Sequence, residues 1–139
     1  MNLSTPLDTH VRANHLGVVL TAETGFRLAS NPDTVLAPDI SFVGKERIPD
    51  EGLPEGFWPG PPDLPVEVLS PSQKTSEIDE KVREYLRAGT RAVVIVDPDG
   101  RSVTVHWPRV QSQTLVEQDT LELPDVVPGF RIKVAQIFH

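Results

Sequence analysis

One carboxylate occurs inside an apolar strand-like segment, where a charged side chain is costly. Glu67 lies in the run Pro-Val-Glu-Val-Leu at residues 65–69. Side chains of an extended strand alternate between its two faces, so Glu67 shares a face with Pro65 and Leu69. A carboxylate on an otherwise apolar face is unfavourable unless it is paired, hydrogen-bonded or metal-bound.

Asp39 is a second carboxylate of this kind, because it immediately precedes the run Ile-Ser-Phe-Val at residues 40–43. Two carboxylates on adjacent strands can converge on one point, and their oxygen atoms suit Mg²⁺ or Mn²⁺. Such a metal polarises a phosphate and activates a water molecule. The pattern leaves an alternative open, in which Glu67 is solvent-exposed or pairs with a nearby lysine or arginine.

Lys81 is the third candidate, because it lies beside the apolar stripe of a predicted helix. It comes three residues after Ile78 and four before Tyr85, so it can reach from the helix flank towards the sheet. Next to a metal-bound water, a lysine can orient the nucleophile or stabilise developing phosphate charge. The alternative is an ordinary surface ion pair with Glu77. The four histidines show no metal-ligand spacing.

Composition narrows the class of protein. The length of 139 residues suits a single domain over residues 1–139, and the net charge of −7 argues against DNA coating by bulk electrostatics. A nuclease needs only a local cleft and a metal, so it is not excluded. The absence of cysteine excludes disulfides and thiolate metal sites. No apolar run approaches the length of a membrane span, and we expect a cytoplasmic protein.

Hydrophobic patterning predicts a strand-rich chain with one main helix. Residues 16–20, 26–28 and 40–43 are predicted to form an antiparallel hairpin or meander. A strand at 64–69, a helix at 76–88 that ends at Gly89, and a buried central strand at 92–96 predict a parallel strand pair in a mixed sheet. Further predicted elements are a strand at 102–107, a short hairpin of 114–117 with 121–123, and an alternating tail from 130 that ends in a helical turn.

Two segments give weaker signals. Residues 48–65 hold six prolines and three glycines, which predict a stiff loop without ladder or helix that carries Phe57 and Trp58. Such a loop could act as a functional lid or pack on the core through its two aromatic side chains. Residues 1–15 are polar and weakly patterned.

Four blocks of sequence resemble the Uma-two family, which is assigned to the restriction endonucleases of the PD-(D/E)XK nuclease superfamily. The blocks are APDISFV at 37–43, PDLPVEVLSPS at 62–72, EKVREYLRAGTRAVVIVDPDGRSVTVHWP at 80–108, and VVPGFRIKVAQIF at 126–138. They occur in the same order and with similar gaps, and together the resemblance covers about residues 10–138.

The resemblance implies an α/β fold of the restriction-endonuclease-like kind, with a mixed β-sheet flanked by helices. It implies that Asp39 and Glu67 are the two acidic residues of the PD-(D/E)XK motif and that both are metal ligands. The superfamily lysine normally follows the second acid by two positions, but Leu69 stands there in this sequence. The nearer family instead points to a lysine on the next helix, which is Lys81.

The sequence departs from the family at its start, because similar proteins carry an additional strand pair and helix before the point that matches Met1. We therefore expect an N-terminally shortened core, in which only the last turns of that helix survive around residues 11–15. Sheet edges and core surface exposed in this way could be covered by a homodimer.

Two hypotheses for function follow. In the first, the protein is a Mg²⁺-dependent endodeoxyribonuclease, in which Asp39 and Glu67 hold Mg²⁺ or Mn²⁺ and Lys81 assists hydrolysis of DNA. In the second, it is an inactive nuclease-fold protein that binds a partner, as the negative charge, the shortened start and the leucine at position 69 suggest. The first requires the three side chains to converge, and the second predicts that Lys81 points away or that the site is sealed.

Overall fold

The structure of the protein is a computed structural model that describes all 139 residues. A six-stranded mixed β-sheet forms the centre of the molecule. Its strands are Gly17–Thr21 (β1), Ile40–Gly44 (β4), Leu64–Val68 (β6), Val93–Asp97 (β7), Ser102–His106 (β8) and Gln113–Leu115 (β9). They lie in the spatial order β1-β4-β6-β7-β8-β9, and β6 and β7 are the one parallel pair of this sheet. The mixed sheet flanked by helices agrees with the predicted fold class.

Two smaller sheets complete the strand content. Their strands are Phe26–Ala29 (β2), Thr34–Leu36 (β3), Trp58–Pro59 (β5), Thr120–Glu122 (β10) and Arg131–Lys133 (β11). One sheet has the spatial order β3-β2-β5, and the other pairs β10 with β11. The helices are Ser4–Ala13 (α1), Thr75–Ala88 (α2) and Val134–Ile137 (α3), with one 3₁₀ turn at Lys45–Arg47. None of these helices is long and apolar enough to cross a membrane.

Helix α2 crosses between the parallel strands β6 and β7 and covers one face of the main sheet. Its buried side chains Ile78, Val82 and Tyr85 pack with Val93 and Ile95 of β7 in one apolar cluster. The helix ends at Gly89, whose φ of 113° is a left-handed conformation that favours glycine. The apolar stripe and the C-terminal glycine predicted the helix to within one residue.

The larger apolar core lies on the opposite face of the sheet. It contains Val66, Val94 and Val96 from central strands, together with Leu7 and Val11 from α1. The interpretation of residues 1–15 as weakly patterned, with helical turns only around 11–15, is therefore wrong. Helix α1 has ten residues, and its buried side chains recur at four-residue spacing, as on one face of a helix.

The pairing of several strands also differs from the prediction. Strand β1 pairs directly with β4, whereas β2 pairs with β3 and β5 in a separate sheet, so no meander links them. Strand β9 joins β8 rather than forming a hairpin with β10, which pairs with β11. Hydrophobic alternation locates strands but contains no information on distant partners, and β3 is too short to produce a clear pattern.

The proline-rich segment 48–65 is not free of sheet structure. Trp58 pairs in parallel register with Phe26, is 4% exposed, and packs against the Phe26 ring at a centroid distance of 6.1 Å. Phe57 is 54% exposed and lies near the guanidinium of Arg27 instead of in the core. Only one of the two aromatic side chains therefore anchors the segment.

Candidate functional site

Asp39 and Glu67 lie on adjacent strands. In the antiparallel ladder of β4 and β6, Ile40 is opposite Val66 and Ser41 is opposite Pro65. The same register continued by one residue places Asp39 opposite Glu67, so both carboxylates occupy the face of the sheet that α2 covers. The predicted proximity of these two positions thus follows from the ladder.

The side chain of Asp39 is hydrogen-bonded to the strand that contains Glu67. Its Oδ2 atom accepts a 2.7 Å hydrogen bond from the backbone N–H of Val68, the residue after Glu67. This bond uses an N–H at the end of β6, where the pairing with β4 has stopped. Asp39 is solvent-exposed, and its Oδ1 atom has no hydrogen-bond partner in the protein. One oxygen of this carboxylate thus orients the side chain and the other remains available.

Glu67 is a buried charged side chain, only 5% exposed. Its Oε2 atom accepts a 2.9 Å hydrogen bond from the hydroxyl of Tyr85, and its Oε1 atom lies 3.6 Å from the ammonium nitrogen of Lys81. The possibility that Glu67 is solvent-exposed is therefore excluded. The possibility that it pairs with a basic residue is realised, and the partner is Lys81.

Lys81 points towards the sheet rather than along the surface of its helix. Its ion pair is with Glu67, and it forms none with Glu77, the partner that helix spacing alone suggested. The side chain is 32% exposed, so its ammonium group lies between the buried carboxylate and solvent. It is therefore placed to meet an incoming anion without leaving the site.

Burial raises the pKa of the Glu67 carboxyl above its ordinary value. The hydrogen bond from Tyr85 and the positive charge of Lys81 oppose this increase, while the negative charge of Asp39 adds to it. Burial, followed by the charge of Glu67, raises the pKa of the Tyr85 hydroxyl, so that this group stays protonated and donates. The site is an electrostatically strained cluster of two acids under a partly exposed lysine.

The donor set fits a divalent metal of the hard-oxygen class. Mg²⁺ is commonly held by one or two protein carboxylates, with water and substrate phosphate completing its coordination. Asp39 Oδ1 has no partner, and Glu67 Oε1 has only a partner that can move. Ser41 Oγ, two residues along β4 from Asp39 and on the same face, is fully buried and has no hydrogen-bond partner. Nowhere in the chain do three or more histidine or acidic side chains form a group that could hold a metal.

Sequence reasoning missed Tyr85 as a member of this cluster and assigned it only to the apolar stripe of α2. The available signal was chemical, because a buried phenol normally needs a hydrogen-bond partner. The position of that partner depends on how α2 crosses β6, which the helix pattern does not contain. The cavity lined by Arg47, Asp63 and Arg91 lies at the other end of β4 and β6, and there Asp63 binds Gly44 and Arg47.

The mixed sheet flanked by helices has the fold of the nuclease-like class of α/β proteins. A crystal structure described as "a putative nuclease belonging to DUF820" from Anabaena variabilis has this fold, with a TM-score of 0.83 and 21% sequence identity. The match covers 97% of this chain and 75% of that one. No curated protein matches the chain.

The model of the family Uma2, described as "Putative restriction endonuclease", matches residues 1–135. The chain therefore belongs to the Uma2 family, which is the Uma-two family that its sequence blocks resemble. Family membership and fold together support a nuclease function.

Proposed function

We propose that the protein is a metal-dependent endonuclease that hydrolyses phosphodiester bonds in DNA. The observation that carries the proposal is the placement of Glu67, which is buried between Lys81 and Tyr85 and adjacent to the backbone group that orients Asp39. A buried carboxylate in a strained cluster costs stability, and such costs concentrate at functional sites. The family description supports DNA as the substrate, because restriction endonucleases cut DNA.

Asp39 and Glu67 would hold Mg²⁺ or Mn²⁺, which supplies a polarised phosphate and a water molecule of lowered pKa. Asp39 contributes an exposed oxygen, and the hydrogen bond from Val68 limits its rotation. Glu67 contributes a negative charge that the surrounding apolar cluster screens poorly. The two acids therefore concentrate negative charge where a cation can neutralise it.

Lys81 would act on the phosphate. Its ammonium group is partly exposed and flexible, so it can leave Glu67 when a cation takes its place. Hydrolysis adds water across one ester bond, so that a phosphomonoester and a hydroxyl group result. A lysine beside the phosphorus stabilises the negative charge that builds on the non-bridging oxygens.

The net charge of −7 requires that DNA binding is local. An acidic protein gains no affinity from bulk electrostatics, and the two acids of the site repel phosphate when no cation is present. DNA binding at the site therefore depends on the divalent ion. Asp39 is exposed and Lys81 is partly exposed, so a polymer can reach this side of the site from solvent.

Calorimetric titration with Mn²⁺ and Mg²⁺, followed by cleavage assays on DNA and RNA, tests the proposal. The wild type is expected to bind one ion and to cut DNA, and Asp39→Asn combined with Glu67→Gln is expected to abolish both. Glu55→Gln serves as the matched control, because Glu55 is exposed in the 48–65 segment and forms no ion pair. A folded wild type that binds no metal would overturn the proposal and favour the inactive binding module.

A further inference from the structure

One helix face delivers two different donors to the same carboxylate. Lys81 and Tyr85 are four residues apart on α2, and residues at this spacing lie on the same side of a helix. Lys81 approaches Glu67 Oε1 at 3.6 Å, whereas Tyr85 donates to Oε2 at 2.9 Å. Because each donor takes a different oxygen, together they define the orientation of the carboxylate plane.

The two donors differ in their freedom to move. Tyr85 is fully buried, and its ring packs with Ile78, Val82, Val93 and Ile95. A ring enclosed in this way has one orientation, so its hydroxyl is a fixed donor. Lys81 has a flexible stem and is 32% exposed, so its ammonium group can exchange its partner. The bond to Oε2 is thus permanent, whereas the contact at Oε1 is replaceable.

A phenol in this position is not explained by packing alone. Phenylalanine would fill the same space in the cluster, and a buried hydroxyl lowers stability unless it forms a hydrogen bond. The hydroxyl of Tyr85 has one partner in the protein, Glu67. Its chemical role in the fold is therefore directed at this carboxylate.

We propose that Tyr85 is a positioning residue, whose hydroxyl fixes Glu67 Oε2 so that Oε1 alone is presented to a divalent cation. This inference rests on the proposed function and assigns to Tyr85 a role that acts through Glu67. Tyr85 is buried and does not touch the substrate. Partners that orient a ligating side chain in this way commonly contribute about 10–100-fold to metal affinity or activity.

The test is Tyr85→Phe, which removes the hydroxyl and keeps the ring. We expect Mn²⁺ affinity, measured by calorimetry, to fall about tenfold or more, while the KM for DNA at saturating metal is unchanged. The control is Val82→Ala, which weakens packing in the same cluster and retains the hydroxyl. We expect it to lower the melting temperature and leave Mn²⁺ affinity as in the wild type.

A second measurement uses the fact that Tyr85 is the only tyrosine of the chain. Protein labelled with ¹³C at the tyrosine ring carbon that bears the hydroxyl gives a single resonance, which we expect Mg²⁺ to shift in the wild type and not in Asp39→Asn. Two results would overturn this inference and leave the proposed function standing. In the first, Tyr85→Phe binds the metal as tightly as the wild type does. In the second, the wild type binds the metal but its tyrosine resonance does not shift. A folded wild type that binds no metal would instead overturn both.

Discussion

The Asp39 carboxylate and the backbone N–H of Val68 form a 2.7 Å hydrogen bond between two neighbouring strands. The bond continues the β4–β6 ladder by a side chain at the point where backbone pairing ends. One acid of the candidate site is thus oriented by the strand that carries the other acid. The hydrogen bond therefore opposes a shift of β6 relative to β4, which would change the distance between the two carboxylates.

This hydrogen bond predicts different effects for two substitutions of Asp39. Asparagine retains a side-chain oxygen that can accept from Val68, whereas alanine leaves this N–H without its partner. We expect Asp39→Ala to lower the free energy of unfolding by about 1 kcal/mol and Asp39→Asn to change it little. Urea denaturation in EDTA measures both values. Equal losses for the two variants would show that the hydrogen bond does not hold the strand ends together.

Replacing Lys81 is expected to separate metal binding from catalysis. The ammonium group lies 3.6 Å from Glu67 Oε1 and competes there with any other cation. Lys81→Met should therefore raise Mn²⁺ affinity roughly two- to tenfold and lower the cleavage rate about 10²–10³-fold, as is typical for loss of one electrostatic group. Calorimetry and a DNA cleavage assay give the two quantities.

Arg83→Met is the control for that experiment, because Arg83 is an exposed cation of the same helix that pairs with Glu80. It should change neither quantity by more than about twofold, since exposed charges are screened over about 10 Å. A Lys81→Met variant that binds Mn²⁺ more weakly than the wild type would mean that the lysine supports the ion instead of competing with it.

The charge of Glu67 is expected to destabilise the metal-free protein at neutral pH. Burial raises the pKa of this carboxyl in the folded state above the unfolded value of 4.5. Between these two values the folded state binds more protons, so stability falls as pH rises through that window and stays lower above it. Glu67→Gln should therefore increase the free energy of unfolding at pH 8, and this gain should shrink as the pH approaches 4.5.

Denaturant unfolding in EDTA at pH 8 and pH 5 checks this prediction, with Glu55→Gln as the exposed control. A Glu67→Gln variant that is less stable than the wild type at pH 8 would show that the contacts of Glu67 with Tyr85 and Lys81 outweigh the cost of burial. The expected result is a gain in stability together with loss of metal binding, which is the usual relation between a strained site and its function.

Local patterns were sufficient to predict the elements that hold the two acids. The apolar run after Asp39 and the interrupted run around Glu67 both became strands, and the stripe of α2 with Gly89 at its end fixed the crossover between β6 and β7. Few sheet topologies can contain two parallel strands joined by one helix, and the strand–helix–strand order therefore predicted a mixed sheet. These features depend on elements that follow one another directly along the chain, as β6, α2 and β7 do.

The features that the sequence did not predict depend on distant contacts. Strand β1 pairs with β4 and not with β2, the next strand along the chain. Strand β2 instead pairs with β5, which contains the buried Trp58. The hydrogen bond between Tyr85 and Glu67 requires the crossing geometry of α2 over the sheet. Alternation and helical spacing assign a residue to a face, but they do not specify which residue of another element lies opposite.

Helix α1 was missed because its local signals are weak. No side chain caps its first turn, where Leu3 stands at the position before the helix, and Pro6 lies within that turn. Leu7 and Val11 nevertheless continue the four-residue spacing from Leu3, and all three are buried in the larger core. The helix is therefore stabilised by tertiary packing and not by its own sequence preference.

Leu7→Ala tests the contribution of this helix to the fold. Leu7 is 1% exposed, and loss of a buried leucine side chain costs about 2–5 kcal/mol because a cavity remains. Thr9→Ala on the exposed face should leave the free energy of unfolding unchanged or raise it slightly, since alanine is the stronger helix former. Leu7→Met should cost less than about 1.5 kcal/mol. Urea denaturation gives all three values, and a Leu7→Ala variant as stable as Thr9→Ala would show that α1 does not pack against the sheet. If α1 packs as described, the loss of stability in Leu7→Ala follows from the cavity alone. The Mn²⁺ affinity of the folded Leu7→Met variant then stays at the wild-type value, because Asp39 and Glu67 lie on the opposite face of the sheet.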